Sequence, residues 1–318
     1  MYDLVPATAR IGFLGPVGTF TEQALRTQPD LAAAELVPMD SFAEILYAVE
    51  SGSLEFGFVA VENAIEGTVN VTMDTLAFDV ELHIQREVVL PVEMNLLVRP
   101  GVTLGEVTSV LSFPHAHAQC RDWLRTNVPT ATFEAAVSTA EAARLVAQRG
   151  DSGLGAISNR LAAEVYGLEV LATDIEDHEE NATRFMLVGP RGIPAPTGRD
   201  KTSIVVFQRA DAPGSLLSIL QEFAARRINL SLLLSRPTKQ SLGDYCFILE
   251  FAGHVADPVI TDCLRALKQS HEVRFLGSYP RAEFGDTVSE SSVIQESEQV
   301  EKWIRELHDA VRSPDSLT

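Results

Sequence analysis

The sequence predicts an α/β protein in two parts. The first is a two-lobed body over residues 10–190, and the second is a compact βαββαβ unit, ferredoxin-like in its order, over residues 200–280. Three observations predict this. Short apolar runs alternate with helical patterns throughout the first part. A Gly- and Pro-rich stretch without periodicity, residues 191–199, reads as a linker. Beyond it the order strand, helix, strand, strand, helix, strand occurs once. A chain of 318 residues also exceeds one ordinary core.

Residues 10–15 form an apolar run ending in Gly15 and read as a buried strand, turned by residues 16–19. Thr19 or Thr21 caps the helix that follows. Ser41, with Glu44 three residues on, makes a capping box for a second helix with Phe42, Ile45, Leu46 and Val49 on its apolar face. Residues 56–61 form another buried strand, running into Glu62 and Asn63. Residues 82–98 are rich in β-formers and read as one or two strands broken near Pro91. Residues 107–111 read as a strand and residues 112–114 as a loop, with one helix carrying Ala118, Cys120, Trp123 and Leu124. Residues 133–137 form a strand, and Ser138-Thr139 followed by Glu141 opens the next helix. Residues 155–158 are a strand, 159–166 a helix and 184–188 a closing strand. The alternation argues for mostly parallel sheets. Residues 86–174 read as the second lobe, entered from and returning to a first lobe of residues 10–85 and 175–190. A cleft between two such lobes suits a small-molecule site.

In the second part, residues 203–207, 228–234, 245–251 and 273–276 read as strands. Leu216, Leu217, Leu220, Phe223 and Ala224 mark one helix face, and Val259, Ile260, Cys263, Leu264 and Leu267 mark another. Residues 281–318 are polar and acidic. Val300, Trp303, Ile304, Leu307 and Val311 keep a helical stripe there, belonging either to a docked terminal helix or to a frayed tail.

The net charge of −19 argues against binding to nucleic acid or to an anionic membrane. An anionic ligand would need local positive potential, from an arginine or from N–H groups at helix starts. Residues 1–10 lack the features of a signal peptide, and no run approaches the roughly 20 apolar residues of a membrane span, so a cytoplasmic protein is expected. Cys120, Cys246 and Cys263 are too widely spaced for a redox motif and read as reduced thiols. His115 and His117 have no third ligand at recognisable spacing, so no metal is expected. Gly12, Gly15 and Gly18 fit no phosphate-loop pattern.

Three segments, taken in order, resemble motifs of the prephenate dehydratase family: Gly15-Pro16-Val17-Gly18-Thr19-Phe20-Thr21, Val61-Glu62-Asn63-Ala64-Ile65-Glu66-Gly67-Thr68-Val69 and Asn181-Ala182-Thr183-Arg184-Phe185. With the βαββαβ unit, the resemblance covers roughly residues 10–280. It implies conversion of prephenate to phenylpyruvate, water and carbon dioxide. It also implies a periplasmic-binding-protein-like catalytic domain with its site in the cleft, and a C-terminal ACT domain that binds phenylalanine at a subunit interface. A homodimer or homotetramer is then expected. The reaction makes an aromatic ring, so the driving force lies in the substrate and no cofactor is implied.

The resemblance assigns Thr183 to the departing hydroxyl, to which its O–H would donate as negative charge develops. Read without the family, Thr183 is a β-forming residue at a strand start. Asn63 ends a buried strand and can donate through its amide, or simply shape a turn. Glu62 could orient donors or hold a water. Ser112 and Gln119 match polar positions that the family uses in the second lobe, although Phe113 stands where many members carry His. Thr19 and Phe20 offer N–H groups to a carboxylate. Arg184 is the nearest cation, or else a structural ion-pair partner, and Phe185 completes the motif. In the ACT unit, Pro213, Gly214, Ser215 and Leu216 resemble the first effector motif, with Ser for Ala. Ser235 and Arg236 resemble the second, with Leu234 where the family has Glu, and Asn229 joins the expected effector set. Feedback inhibition by phenylalanine is the expected control. Arogenate dehydratase, acting on an aminated analogue, and a non-catalytic amino-acid-binding regulator are the alternatives.

Overall fold

The apolar runs assemble into three sheets. The computed structural model describes residues 5–178, 180–208, 213–238 and 244–282. In chain order the elements are β1 (Arg10–Leu14), α1 (Phe20–Arg26), α2 (Pro29–Ala32), β2 (Glu35–Met39), α3 (Phe42–Glu50), β3 (Phe56–Asn63), β4 (Gly67–Thr68) and α4 (Asn70–Asp74). A π-helical turn, Thr75–Asp79, extends α4. There follow β5 (His83–Pro91), β6 (Asn95–Val98), β7 (Ser109–Ser112), α5 (Pro114–Ala118), α6 (Arg121–Asn127), β8 (Thr132–Ala135), α7 (Thr139–Arg149), β9 (Leu154–Ser158), α8 (Arg160–Tyr166), β10 (Glu169–Ala172) and β11 (Ala182–Gly189). The C-terminal unit comprises β12 (Asp200–Phe207), α9 (Ser215–Ala224), β13 (Leu230–Pro237), β14 (Tyr245–Ala252), α10 (Pro258–Ser270) and β15 (Glu272–Pro280).

Local chemistry sets the helix starts. The hydroxyls of Thr19, Ser41 and Ser138 accept from the N–H groups of Glu22, Glu44 and Glu141 at 3.4, 3.2 and 3.0 Å. Asn159 caps α8 by accepting from Ala162 at 2.8 Å. Each satisfies a donor that the first turn leaves unpaired.

The first sheet has the order β2-β1-β3-β11-β5, with β4 on β3. The second has the order β10-β6-β9-β7-β8. The chain crosses between them twice, after β5 and before β11, which gives the two-lobed plan of a periplasmic-binding-protein-like fold. Both sheets are mixed and not mostly parallel. β1 pairs in parallel with β2 and β3, whereas β11 is antiparallel to both β3 and β5. In the second sheet β7 is parallel to β8 and β9, and β6 is antiparallel to β9 and β10. The antiparallel pairs arise where the crossing segments run back into each sheet. The first crossing falls at residues 92–94, later than the expected boundary at 86, because β5 pairs with β11 through Pro91. The single helix expected after residue 114 is two short ones, broken at Gln119 and Cys120.

The third sheet has the order β13-β14-β12-β15, as expected of a ferredoxin-like unit. Both of its faces are covered. Ile204, Val206, Leu249 and Phe251 pack under α9 and α10. Val205, Ile248, Leu276 and Tyr279 join a core shared with Ile45, Val59, Val61 and Met186 of lobe 1. Double coverage explains why β12 and β14 read as continuous apolar runs, where a one-sided antiparallel strand would alternate. β15 lies directly against β5: a Cβ at Gly277, whose φ is +151°, would meet the Ile84 carbonyl oxygen at 2.6 Å. Of the expected acidic tail, residues 283–318 and their helical stripe lie outside the described residues.

Candidate active site

Antiparallel pairing of β3 with β11 sets Thr183 opposite Asn63. The Asn63 Nδ2 amide donates to Thr183 Oγ1 at 2.9 Å and to Asn181 Oδ1 at 3.0 Å. Its Oδ1 accepts from the N–H groups of Ile65 and Glu66, both at 3.0 Å. The two ends of the amide are therefore fixed in role, and Thr183 Oγ1 receives a hydrogen bond. Its own proton is left to point elsewhere.

From lobe 2, Gln119 reaches this pair. Its Oε1 accepts from Asn181 Nδ2 at 3.2 Å and its Nε2 donates to Glu66 Oε1 at 3.4 Å. Glu66 also meets His115 Nδ1 at 2.9 Å. The break between α5 and α6 puts Gln119 here, since Gln119 ends α5 and its carbonyl accepts from the Asp177 N–H at 2.6 Å. The structure thus brings Thr183, Asn63 and Gln119 into one network across the two lobes. Asn181 and Glu66 complete it, although neither was singled out in the sequence. Asn181 carried a signal as the first residue of the third motif.

Other expected residues stand apart from that network. Ser112 is fully buried and donates to the Ile157 carbonyl at 3.2 Å. Around it at the strand ends of lobe 2 lie Asn95, Ser158 and Asn159. Their Oδ1, Oγ and Nδ2 atoms are buried without a hydrogen-bond partner among the described residues. Ser158 and Asn159 repeat the signal that marks Asn63, a buried strand running into polar residues. Thr19 spends its hydroxyl on the Leu14 carbonyl, at 2.9 Å, and on the α1 cap. Phe20 packs against the cores of both lobes. Beside it, Tyr166 of lobe 2 donates to the Val17 carbonyl at 2.6 Å. Gly18, at φ +89°, has no room for a Cβ beyond 3.3 Å from the Ala162 backbone.

Arg184 is not placed as a substrate cation. Strand alternation turns it to the opposite face from Thr183. There its guanidinium meets Glu62 at 3.1 Å, Glu87 at 3.0 Å and Glu250 of the third sheet at 2.6 Å. This also takes Glu62 away from the Thr183 face. Burial works against the charge on Arg184, but the carboxylates, Glu250 first, outweigh it and hold the guanidinium pKa above its usual value. Burial likewise opposes the Glu87 charge, and Lys201, at 2.6 Å, with Arg184 outweighs it, so that carboxyl is depressed. Phe185 is a core residue, stacked on Phe58 with ring centroids 5.2 Å apart.

A cavity of about 490 Å³ opens between α9 and the strands β13 and β14. Gly214, Ser215, Leu216 and Ser235 line it together with Tyr245 and Phe247. Gly214 stands at φ +87°, the turn that starts α9. Pro213 precedes it. Asn229 lies at the far end of β13, where its carbonyl accepts from the Ala252 N–H at 3.0 Å. Arg236 faces away from the cavity. It makes a two-pronged pair with Asp74 of α4, both contacts at 2.7 Å, and a bond to Asn70 at 2.9 Å. Among the described residues no helix is long and apolar enough to cross a membrane.

Comparison with known proteins bears on this geometry. A family model for prephenate dehydratase matches residues 11–192, and one for the ACT domain matches residues 202–269. The chain is 44% identical to a prephenate dehydratase of Mycolicibacterium vanbaalenii, over 87% of this chain and 92% of that one. A crystal structure of prephenate dehydratase in complex with L-Phe from Arthrobacter aurescens has a TM-score of 0.81 at 38% identity, covering 94% of this chain and 99% of that one. A solved quorum quenching acylase, GqqA, reaches a TM-score of 0.76 at 28% identity, covering 85% and 97%, so the fold alone does not fix an activity. The two family models together with the closely similar relative settle the matter of kinship: the chain belongs to the prephenate dehydratase family and carries an ACT domain.

Proposed function

We infer that the chain is a carbon–oxygen lyase that converts prephenate to phenylpyruvate, with carbon dioxide and water as the other products. The carrying observation is the hydrogen bond that Thr183 Oγ1 receives from Asn63, which leaves the threonine proton for the departing ring hydroxyl. As the carboxylate carbon–carbon bond breaks, its electron pair enters the ring and the carbon–oxygen bond breaks. The hydroxyl leaves with developing negative charge, which a positioned donor stabilises, and takes up a proton to become water. A threonine is too weak an acid to supply that proton unaided, so Thr183 stabilises charge or relays the proton. Asn63 spends both amide hydrogens on Thr183 and Asn181, whereas Asn181 and Gln119 each commit one and have a second N–H suited to an anion between the lobes. Ser112, with the unpartnered polar atoms of Asn95, Ser158 and Asn159, offers further polar capacity.

The reading extends to control by phenylalanine. The relative solved with L-Phe and the cavity lined by Gly214, Ser215, Leu216 and Ser235 support it. A homodimer or homotetramer is in keeping with β13, which among the described residues pairs with β14 alone and leaves its outer edge open beside that cavity. Three buried free thiols suit a cytoplasmic setting.

Purified protein mixed with prephenate and followed by phenylpyruvate absorbance tests the reading. Product formation that is lost in Thr183→Ala supports it. No phenylpyruvate from the intact protein overturns it.

A further inference from the structure

The third sheet contains a buried charge that its own domain does not satisfy. Glu250 is 1% exposed, and its bond among the described residues is to Arg184, in the catalytic domain. Its second oxygen, Oε1, is buried without a hydrogen-bond partner among the described residues. As a source of stability such an arrangement is poor, because desolvating the carboxylate cancels much of the attraction. Its value lies in where it holds Arg184.

Arg184 directly follows Thr183 on β11. Adjacent strand residues point to opposite faces, so the 183–184 backbone carries one side chain toward the cleft and the other toward the third sheet. At this point β5 holds β11 in regular register, with Thr183 opposite Leu90 and Arg184 opposite Val89, but the ladder on the other side is interrupted. The pairing of β11 with β3 shifts register between Arg184 and Phe185, leaving Val61 as the extra residue. A bulge of this kind re-aims the side chains around it.

We propose that Arg184 is a positioning residue for Thr183, and that Glu250 of the ACT sheet sets where it sits. The proposal rests on the lyase reading above. It deepens that reading by making catalytic competence depend on a carboxylate of the other domain. The same strand, β14, carries Phe247, which lines the effector cavity three residues from Glu250. An occupant that moves β14 moves Glu250, and through Arg184 the Thr183 hydroxyl.

Glu250→Gln and Glu250→Asp in the full chain test this. The first removes the charge and the second keeps it on a shorter arm. Turnover and KM for prephenate, with and without L-Phe, are measured at a temperature where each protein is folded. Since displacement of a catalytic group by ~1 Å costs on the order of 10²-fold, kcat should fall at least ~10-fold in both variants, with KM within about 2-fold and a weakened L-Phe effect on kcat. Glu250→Asp keeps the test alive should the neutral variant fail to fold. Variants that melt at lower temperature yet keep wild-type kcat and L-Phe response would show that the pair only joins the domains, and the proposal falls. A wild-type protein inactive on prephenate is a different failure: it removes the lyase reading itself.

Discussion

Asn63 Nδ2 lies 2.9 Å from Thr183 Oγ1, while the oxygen of the same amide accepts from two backbone N–H groups at 3.0 Å. One side chain therefore shapes the turn after β3 and orients the hydroxyl on β11. The two roles can be separated by substitution. Asn63→Asp keeps an acceptor for Ile65 and Glu66 but loses the donor to Thr183. The threonine proton is then drawn to the new carboxylate, which also repels a dicarboxylate substrate. Turnover should fall on the order of 10²-fold with the melting temperature little changed. Thr183→Ala should lose as much, and Thr183→Ser should keep most of the rate. Phenylpyruvate absorbance and thermal melting check all three; full activity in Asn63→Asp would detach Asn63 from the chemistry.

Much of this arrangement was legible in the sequence, for identifiable reasons. Ser41 and Glu44, or Ser138 and Glu141, announce their helices because capping is local chemistry. β3 and β11 were legible as apolar runs, and Asn63 as the polar residue ending one of them. β2 and β10 escaped detection because they lie at sheet edges: Glu35-Leu36-Val37-Pro38-Met39 contains a proline and is only half-buried. Arg184 shows a different limit. Its residue type and its place beside Thr183 suggest a substrate cation. Its actual partners, Glu87 and Glu250, are 97 and 66 residues away in sequence, and nothing local reveals them.

The buried ion cluster predicts a particular acid response. Lys201 and Arg184 hold the Glu87 carboxyl below its ordinary 4.5 in spite of burial. A group depressed on folding contributes stability that is fully present above its unfolded pKa and is lost as pH falls through the folded one. The melting temperature should therefore be insensitive to Glu87 from pH 7 down to about 5, then drop below about pH 4.5. Glu87→Gln, which strands Lys201 and takes one of three carboxylates from Arg184, should be less stable at pH 7 by roughly 3 kcal/mol. The gap between wild type and variant should close on acidification. A gap that widens in acid would contradict the sign of the shift.

The three cysteines should be silent in the native protein. All are fully buried. Burial pushes the Cys246 and Cys263 thiols up to about 11. Burial, then Glu176 and Asp177, raises Cys120 as well. The nucleophile is the thiolate, which is scarce at pH 8 for a thiol titrating that high. An aromatic disulfide reagent at pH 8 should release almost no colour until guanidinium unfolds the chain, and then report three thiols. Rapid reaction of one thiol in the native state would mean that its segment opens locally.

The residue before Ser235 departs from the family's second effector motif, and the strand turns it away from the cavity. Along β13, side chains alternate: Ser235 lines the cavity, while Leu232 and Leu234 pack on the core shared with lobe 1. Leu234 therefore faces away from any effector in the cavity. Its departure from the family's Glu bears on how the domains join. Restoring the carboxylate with Leu234→Glu should cost about 1–3 kcal/mol through burial of an unpaired polar group, without strengthening the response to L-Phe. Ser235→Leu makes the opposite change. It fills the cavity, and should abolish the rise in melting temperature that L-Phe produces while leaving the unliganded melting temperature within a few degrees. Thermal melting of both variants with and without millimolar L-Phe separates the two faces of the strand. A stronger L-Phe response in Leu234→Glu would place that side chain in the cavity after all.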